Sequence, residues 1–176
     1  MGIVDIFRPR WKHRDVNVRY DAVSKLTDQS ILASIAMSDA EANVRRVAIE
    51  KLTDQATIAT CAKADDNAHV RWQAVAKLQD EGILTEIAQT DVDSSVRGKA
   101  VEKLPNNVVS AIATTCPEAA QMLLKQLVEQ EQEPVQYARD LLCSQSDARR
   151  IAAIRILSRE DLLTKTEPLL HKLEEP

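Results

Sequence analysis

The feature that most constrains this chain is a period. Val18, Val44, Val70 and Val96 stand 26 residues apart, and Arg19, Arg45, Arg71 and Arg97 follow them at the same interval. Ala22, Ala48, Ala74 and Ala100 keep the step, as do Lys25, Lys51, Lys77 and Lys103, and Leu26, Leu52, Leu78 and Leu104. One short copy cannot bury its own apolar face, so copies written at a fixed interval must stack on their neighbours, and that demand selects a repeat array.

Within a copy, Val18, Ala22, Val23 and Leu26 have the i, i+4, i+5, i+8 spacing of one helical face, and a second apolar set, Ile31, Leu32, Ile35 and Ala36, follows after a break. Two short helices per unit are predicted. The chain holds only three glycines and 3% aromatics against 44% hydrophobic residues, a balance that favours helix over strand. The break carries Thr27 and Asp28, Thr53 and Asp54, then Asp80, whose side-chain oxygens can cap the second helix. Between units the chain runs through SDAEAN, ADDNAH and TDVDSS, which are polar turn-formers. Asn17, Asn43, His69 and Ser95 stand just before the Val-Arg pair and are read as candidate caps of the first helix.

The pattern loosens in the fourth unit, where Pro105 replaces the turn threonine and LPNNVV is shorter than LTDQSIL. Pro117 is placed to open a helix through AAQMLLKQLVEQ, and Pro134 one through VQYARDLLC. A copy returns at DARRIAAIRIL, where Arg150, Ala153, Ile154 and Leu157 take the places of Arg19, Ala22, Val23 and Leu26. The last unit closes with a helix near DLLTKTEPLLHKL that Pro168 bends or restarts. The expectation is one domain of about six units over residues 1–176, with a lead-in at 1–14, four regular repeats at 15–115, and degenerate repeats with a cap at 116–176. Ile3, Phe7 and Trp11 are expected to cover the exposed end of the first unit, the alternative for IVDIF being a weak anchoring segment.

With Asp15, the Val18-Arg19 pair, the small Ala22 and Leu26, the stretch DVNVRYDAVSKL resembles the unit of the HEAT-repeat family in its short, phycobilisome-lyase-like form. The resemblance runs over roughly residues 13–160, strongly through Leu104 and weakly after it. It implies an all-α fold, a right-handed α-solenoid (an α-α superhelix, armadillo-like in its helical stacking) whose Val-Arg helices line the concave side. It implies little about chemistry, because many functions occupy such scaffolds.

Residues placed about 100° apart set Arg19 in the middle of the apolar arc, beside Leu26. A guanidinium there needs partners, since an unpaired buried charge costs several kcal/mol. The candidates are Asp39, Asp65 and Asp91 in the turns, the capping aspartates Asp28, Asp54 and Asp80, or free carbonyls at helix ends. Arg19, Arg45, Arg71, Arg97 and Arg150 are therefore expected to form a structural ladder between repeats rather than an anion site. Lys25 and its equivalents lie at the edge of the arc, where the stem covers apolar surface and the ammonium is expected to stay in water.

Recognition is sought where the units disagree. The position after the arginine is Tyr20, Arg46, Trp72 and Gly98, flanked by Asn17, Asn43, His69 and Ser95 and by Asp21, Val47, Gln73 and Lys99. Stacked repeats would align these into a stripe with the composition of interface hot spots, so Tyr20, Arg46, Trp72, Asn17, Asn43, His69, Gln73 and Lys99 are the candidate binding residues. The competing reading is that Tyr20 and Trp72 pack against neighbouring helices. His69, a lone histidine, reads as a cap rather than a catalyst or metal ligand, and Cys61 occupies the core position of Ile35.

No nucleophile and base pair, phosphate-cradling glycine loop or metal-ligand spacing occurs, so no enzyme, cofactor or metal is expected. The three cysteines, Cys61, Cys116 and Cys143, are odd in number and suit a reducing cytoplasm. MGIVDIF has no h-region long enough for a signal peptide, and no stretch approaches the roughly 18 apolar residues of a membrane span. The net charge of −4 counts against non-specific nucleic-acid binding, and Arg8, Arg10, Lys12, His13 and Arg14 read as a solvated lead-in. The leading expectation is a monomeric scaffold or adaptor that binds a protein or peptide on the concave face. One alternative is nucleic-acid binding similar to that of HEAT-like DNA glycosylases for alkylated bases, through Trp72, Arg46, Lys99 and the lead-in. Another is a bilin-lyase or chaperone-like accessory role, which rests on repeat type alone.

Overall fold

A computed structural model describes residues 9–129. Ile3, Phe7 and Arg8, the helix expected from Pro134, Cys143, the copy bearing Arg150 and the closing helix around Pro168 lie outside the described residues.

Among the described residues all regular structure is helical. After a single 3-10 turn at Arg10–Lys12 come α1 (Val16–Lys25), α2 (Gln29–Ser38), α3 (Ala42–Lys51), α4 (Gln55–Ala64), α5 (Ala68–Lys77), α6 (Glu81–Thr90), α7 (Ser94–Lys103), α8 (Asn106–Ile112) and α9 (Pro117–Glu129). The Val-Arg segments form α1, α3, α5 and α7, and the second apolar sets form α2, α4 and α6, so the 26-residue period of the sequence reappears as a period of helix pairs.

Most of these short helices open on a side chain that caps their first turn. Asp28 accepts hydrogen bonds from the Ser30 and Ile31 amides at 2.9 and 3.1 Å, Asp54 from Thr57 at 3.0 Å and Asp80 from Ile83 at 2.8 Å, which opens α2, α4 and α6. The first helices start two residues earlier than their candidate caps imply. Asp15, Asn67 and Asp93 accept from the amides of Asn17, His69 and Ser95 at 2.8, 2.9 and 2.9 Å. Asn17, Asn43, His69 and Ser95 are therefore not caps; they lie inside the first helical turn and supply orphan N–H donors to be capped. Glu41 holds the capping position of α3 without a side-chain bond.

The chain divides after Lys103 into two compact bodies. In the first, the most extensive packing joins α2 to α3, α4 to α5 and α6 to α7. The packed pair is thus the second helix of one unit with the first helix of the next. The unit read from the sequence paired the helices within one copy, which periodicity alone cannot distinguish from the packed pair. The first helices α1, α3, α5 and α7 also pack along the row more extensively than α2, α4 and α6 do. Leu32 and Ala36 of α2, and Val44, Ala48, Ile49 and Leu52 of the α3 segment, are fully or almost fully buried, and Ile58, Val70, Ala74, Val75 and Leu78 continue the core. The larger of these, such as Leu32, Val44, Ile49 and Leu52, contribute roughly 1.5–3 kcal/mol each, which makes burial the dominant favourable term. In the second body α8 packs on α9, with Val109, Ile112 and Ala119 buried and Gln126 donating to Asn106 at 3.3 Å.

Candidate binding face

The recurring arginines lie where the helical arc places them, and each is multiply bonded. Arg19 donates from Nε and Nη2 to Asp39 at 2.9 and 3.0 Å, Arg45 to Asp65 at 2.7 and 2.7 Å, and Arg71 to Asp91 at 2.8 and 2.9 Å. These are parallel two-bond pairs between a planar fork and a carboxylate. The third arm reaches backward, Nη1 of Arg45, Arg71 and Arg97 donating to the carbonyls of Asp39, Asp65 and Asp91 at 2.9, 2.9 and 2.8 Å. Asp39, Asp65 and Asp91 are therefore each held through the carbonyl by one arginine and through the carboxylate by the arginine one repeat before it. The aspartates Asp28, Asp54 and Asp80 cap helices and take no part. Hydrogen bonds donated to the aspartates hold Arg19, Arg45 and Arg71 above the ordinary arginine value, against the opposite pull of burial. For Asp65, burial pushes the carboxyl upward, but bonds from Arg45 and from the Asn67 amide outweigh it and leave it below the ordinary range.

His13 begins this column, 26 residues before Asp39. Arg19 Nη1 donates to its carbonyl at 3.0 Å, and the Asp15 amide donates to its Nδ1 at 3.0 Å, as the Glu41 amide does to Asp39 Oδ1 at 2.9 Å. The imidazole substitutes for the carboxylate in closing the turn. Counting back one period from Asp39 would have found it.

Lys25 is exposed, as its place at the edge of the arc suggested, but the ammonium groups of Lys51, Lys77 and Lys103 are bonded to backbone. Lys51 Nζ donates to the carbonyl of Ser24 at 2.6 Å, Lys77 to Glu50 at 2.6 Å and Leu52 at 2.5 Å, and Lys103 to Ala76 at 2.7 Å. Each ammonium thus satisfies carbonyls at the C-terminal end of the first helix one repeat back, where the helix dipole also favours a cation. Burial lowers the affinity of Lys77 and Lys103 for their protons. A third set of bonds runs through Gln29 and Gln55, which accept from the amides of Thr53 and Gln79 at 2.9 and 3.1 Å. Sequence reasoning missed both sets because the acceptors and donors they use are backbone groups, which have no residue identity.

The position after each arginine behaves differently. Tyr20 and Trp72 expose 39% and 38% of their surface, so each is packed on one side and open to solvent on the other. Arg46, between them in register on α3, is half-buried and makes no hydrogen bond or ion pair among the described residues. Asn17, Asn43 and His69 are exposed on the same helices, and their side chains also lack hydrogen-bond partners among the described residues. Gln73 and Lys99 are half-buried beside Trp72; Lys99 Nζ lies 5.1 Å from the centre of the Trp72 ring and pairs with Glu102 at 2.8 Å. Asp21 is exposed, whereas Val47, at the same register on α3, is buried and leaves the candidate stripe for the core.

The face offers hydrogen-bonding amides, a guanidinium and two aromatic surfaces, but no paired acid and base. No group of three or more His, Cys, Asp or Glu among the described residues could hold a metal ion. A cavity of about 270 Å³ lined by Lys63, Asp65, Arg71, Glu86, Thr90 and Asp91 is walled by groups that already neutralise one another, with Lys63 and Glu86 paired at 2.6 Å. Cys61 and Cys116 are buried, and burial raises both thiols. No helix of the described residues is long and apolar enough to cross a membrane. No protein-family model matches the chain, and neither a curated protein nor a solved structure does.

Proposed function

We propose that this chain is a right-handed α-solenoid of short HEAT-like repeats that works as a non-catalytic scaffold or adaptor in the cytoplasm, binding a protein or peptide on the concave face formed by α1, α3, α5 and α7. The fixed period, the uniform helix lengths and the Arg-Asp, Lys-carbonyl and Gln-amide bonds between repeats support the solenoid. The more extensive packing among the first helices than among the second ones supports curvature toward the first-helix side. Buried free thiols at Cys61 and Cys116 suit a reducing compartment.

The observation that carries the reading is the contrast between two adjacent arginines. Arg45 is buried and bonded on all three arms, whereas Arg46 has no partner among the described residues and lies between two exposed aromatics. Arginine, tyrosine and tryptophan are the residues over-represented among interface hot spots. Capture of polypeptides from extract of the source cell by the wild type and by the Y20A/R46A/W72A variant tests this. The variant is expected to lose the captured chains while keeping its helical content, and undiminished capture would remove the proposed face.

A further inference from the structure

We infer that the partner of this face is an extended peptide carrying one carboxylate opposite Arg46, with a bulky apolar side chain about three residues to either side of it. This rests on the reading of the face as a polypeptide-binding surface and adds the chemistry and spacing of what it binds.

The spacing comes from the repeat. Tyr20, Arg46 and Trp72 occupy one register on α1, α3 and α5, which pack side by side. Packed helix axes lie roughly 8–10 Å apart. A chain in the extended polyproline-II form rises about 3.1 Å per residue with about three residues per turn, so one repeat corresponds to about three peptide residues and every third side chain faces the same way. A side chain facing Arg46 then has its third neighbours near Tyr20 and Trp72.

The chemistry comes from what each position lacks. Arg46 has a fork of donors and no acceptor among the described residues, and a carboxylate fills that fork with two parallel bonds. Lys99 does not compete as the primary anion site, since Glu102 already pairs with it at 2.8 Å. Tyr20 and Trp72 each leave more than a third of their surface in water, which an apolar side chain would remove. Asp21, exposed next to Tyr20, and Glu50, exposed at the far end of α3, repel further carboxylates, so the match is to one central acid rather than an acidic tract. The extended form follows from Asn17 and Asn43, whose exposed amides have no partner among the described residues. Each can donate to one backbone carbonyl and accept from one backbone N–H of a bound strand; a bound helix would keep those groups for itself.

The test is fluorescence anisotropy with dye-labelled nonapeptides of sequence Gly-Phe-Ser-Ser-Glu-Ser-Ser-Phe-Gly, the same peptide with Lys for Glu, and a helix-forming peptide with the three key side chains about seven residues apart, the helical spacing for the same span. The wild type is expected to bind the Glu peptide about tenfold more tightly than the Lys peptide, and Arg46→Glu to reverse that preference. Arg46→Gln, which should abolish the preference, makes the same comparison if R46E does not fold. Asn17→Ala with Asn43→Ala is expected to weaken the Glu peptide severalfold. Equal binding of the Glu and Lys peptides, or tighter binding of the helical one, overturns the inference. If the Y20A/R46A/W72A variant still loses captured polypeptides in that case, the binding face stands and only this partner chemistry fails.

Discussion

Arg45 donates to both carboxylate oxygens of Asp65 at 2.7 Å while its remaining arm donates at 2.9 Å to the carbonyl of Asp39, twenty-six residues before Asp65 in the same column. One side chain therefore ties two successive turns together. Because Arg19 and Arg71 do the same with their own neighbours, the turns of the first body are linked in one continuous line of charge-assisted bonds.

Arg71 and Asp91 give the clearest energetic test, because Arg71 has no bond to a second carboxylate of the kind Arg45 makes with Asp66. Asp91→Ala leaves a buried guanidinium without its counter-charge and should cost about 3 kcal/mol. Adding Arg71→Met should recover much of that loss. Urea unfolding of the two single variants and the double variant checks it, with a coupling energy above about 1 kcal/mol expected.

Lys77→Met keeps the apolar stem but strips a donor from the carbonyls of Glu50 and Leu52, and should cost about 1 kcal/mol. Lys25 makes no such bond among the described residues. Lys25→Met should change stability by less than about 0.5 kcal/mol, and thermal melting of both variants separates the two cases.

Asn67 accepts from the amides that open α5, so Asn67→Ala should cost about 1 kcal/mol. His69→Ala removes no cap and should stay within about 0.5 kcal/mol of the wild type in the same unfolding assay. Equal losses would restore His69 as the cap.

Acid should loosen the array in a defined direction. The carboxyl of Asp65 is held low by Arg45 and the Asn67 amide against burial, and those of Asp28, Asp54 and Asp93 by their bonds with Ser30, Thr57 and Ser95. A group whose folded value lies below its unfolded value of about 3.9 contributes stability that is present above that value and lost as pH falls through the folded one. The urea midpoint should therefore hold above about pH 5 and fall steadily below pH 4. Asp65→Asn, already weaker at neutral pH, should show a shallower fall.

How much of this was legible depends on whether both partners of a contact belong to the repeating text. Arg19 with Asp39, Arg45 with Asp65 and Arg71 with Asp91 recur with the same offset, so spacing could name these aspartates, though not choose them over the capping ones. The lysine bonds were hidden because their acceptors are carbonyls of Ser24, Glu50 and Ala76, three unlike residues. Gln29 and Gln55 form only two copies before Glu81 breaks the column, too few to stand out. Val47 shares its register with Asp21, Gln73 and Lys99 yet is buried, because a flank position follows the polarity of its own side chain. The binding face was legible only as disagreement among copies, since stacking requires sameness and recognition does not.

Two neighbouring arginines offer the most direct test of that division, by thermal melting and peptide binding measured on Arg45→Ala and Arg46→Ala side by side. Arg45→Ala should lower stability by about 3 kcal/mol, since it leaves Asp65 buried without its partner. Arg46→Ala should melt within about 0.5 kcal/mol of the wild type while losing its preference for the acidic peptide and its captured polypeptides. Destabilisation of Arg46→Ala to the same extent as Arg45→Ala, with binding unchanged, would contradict the account.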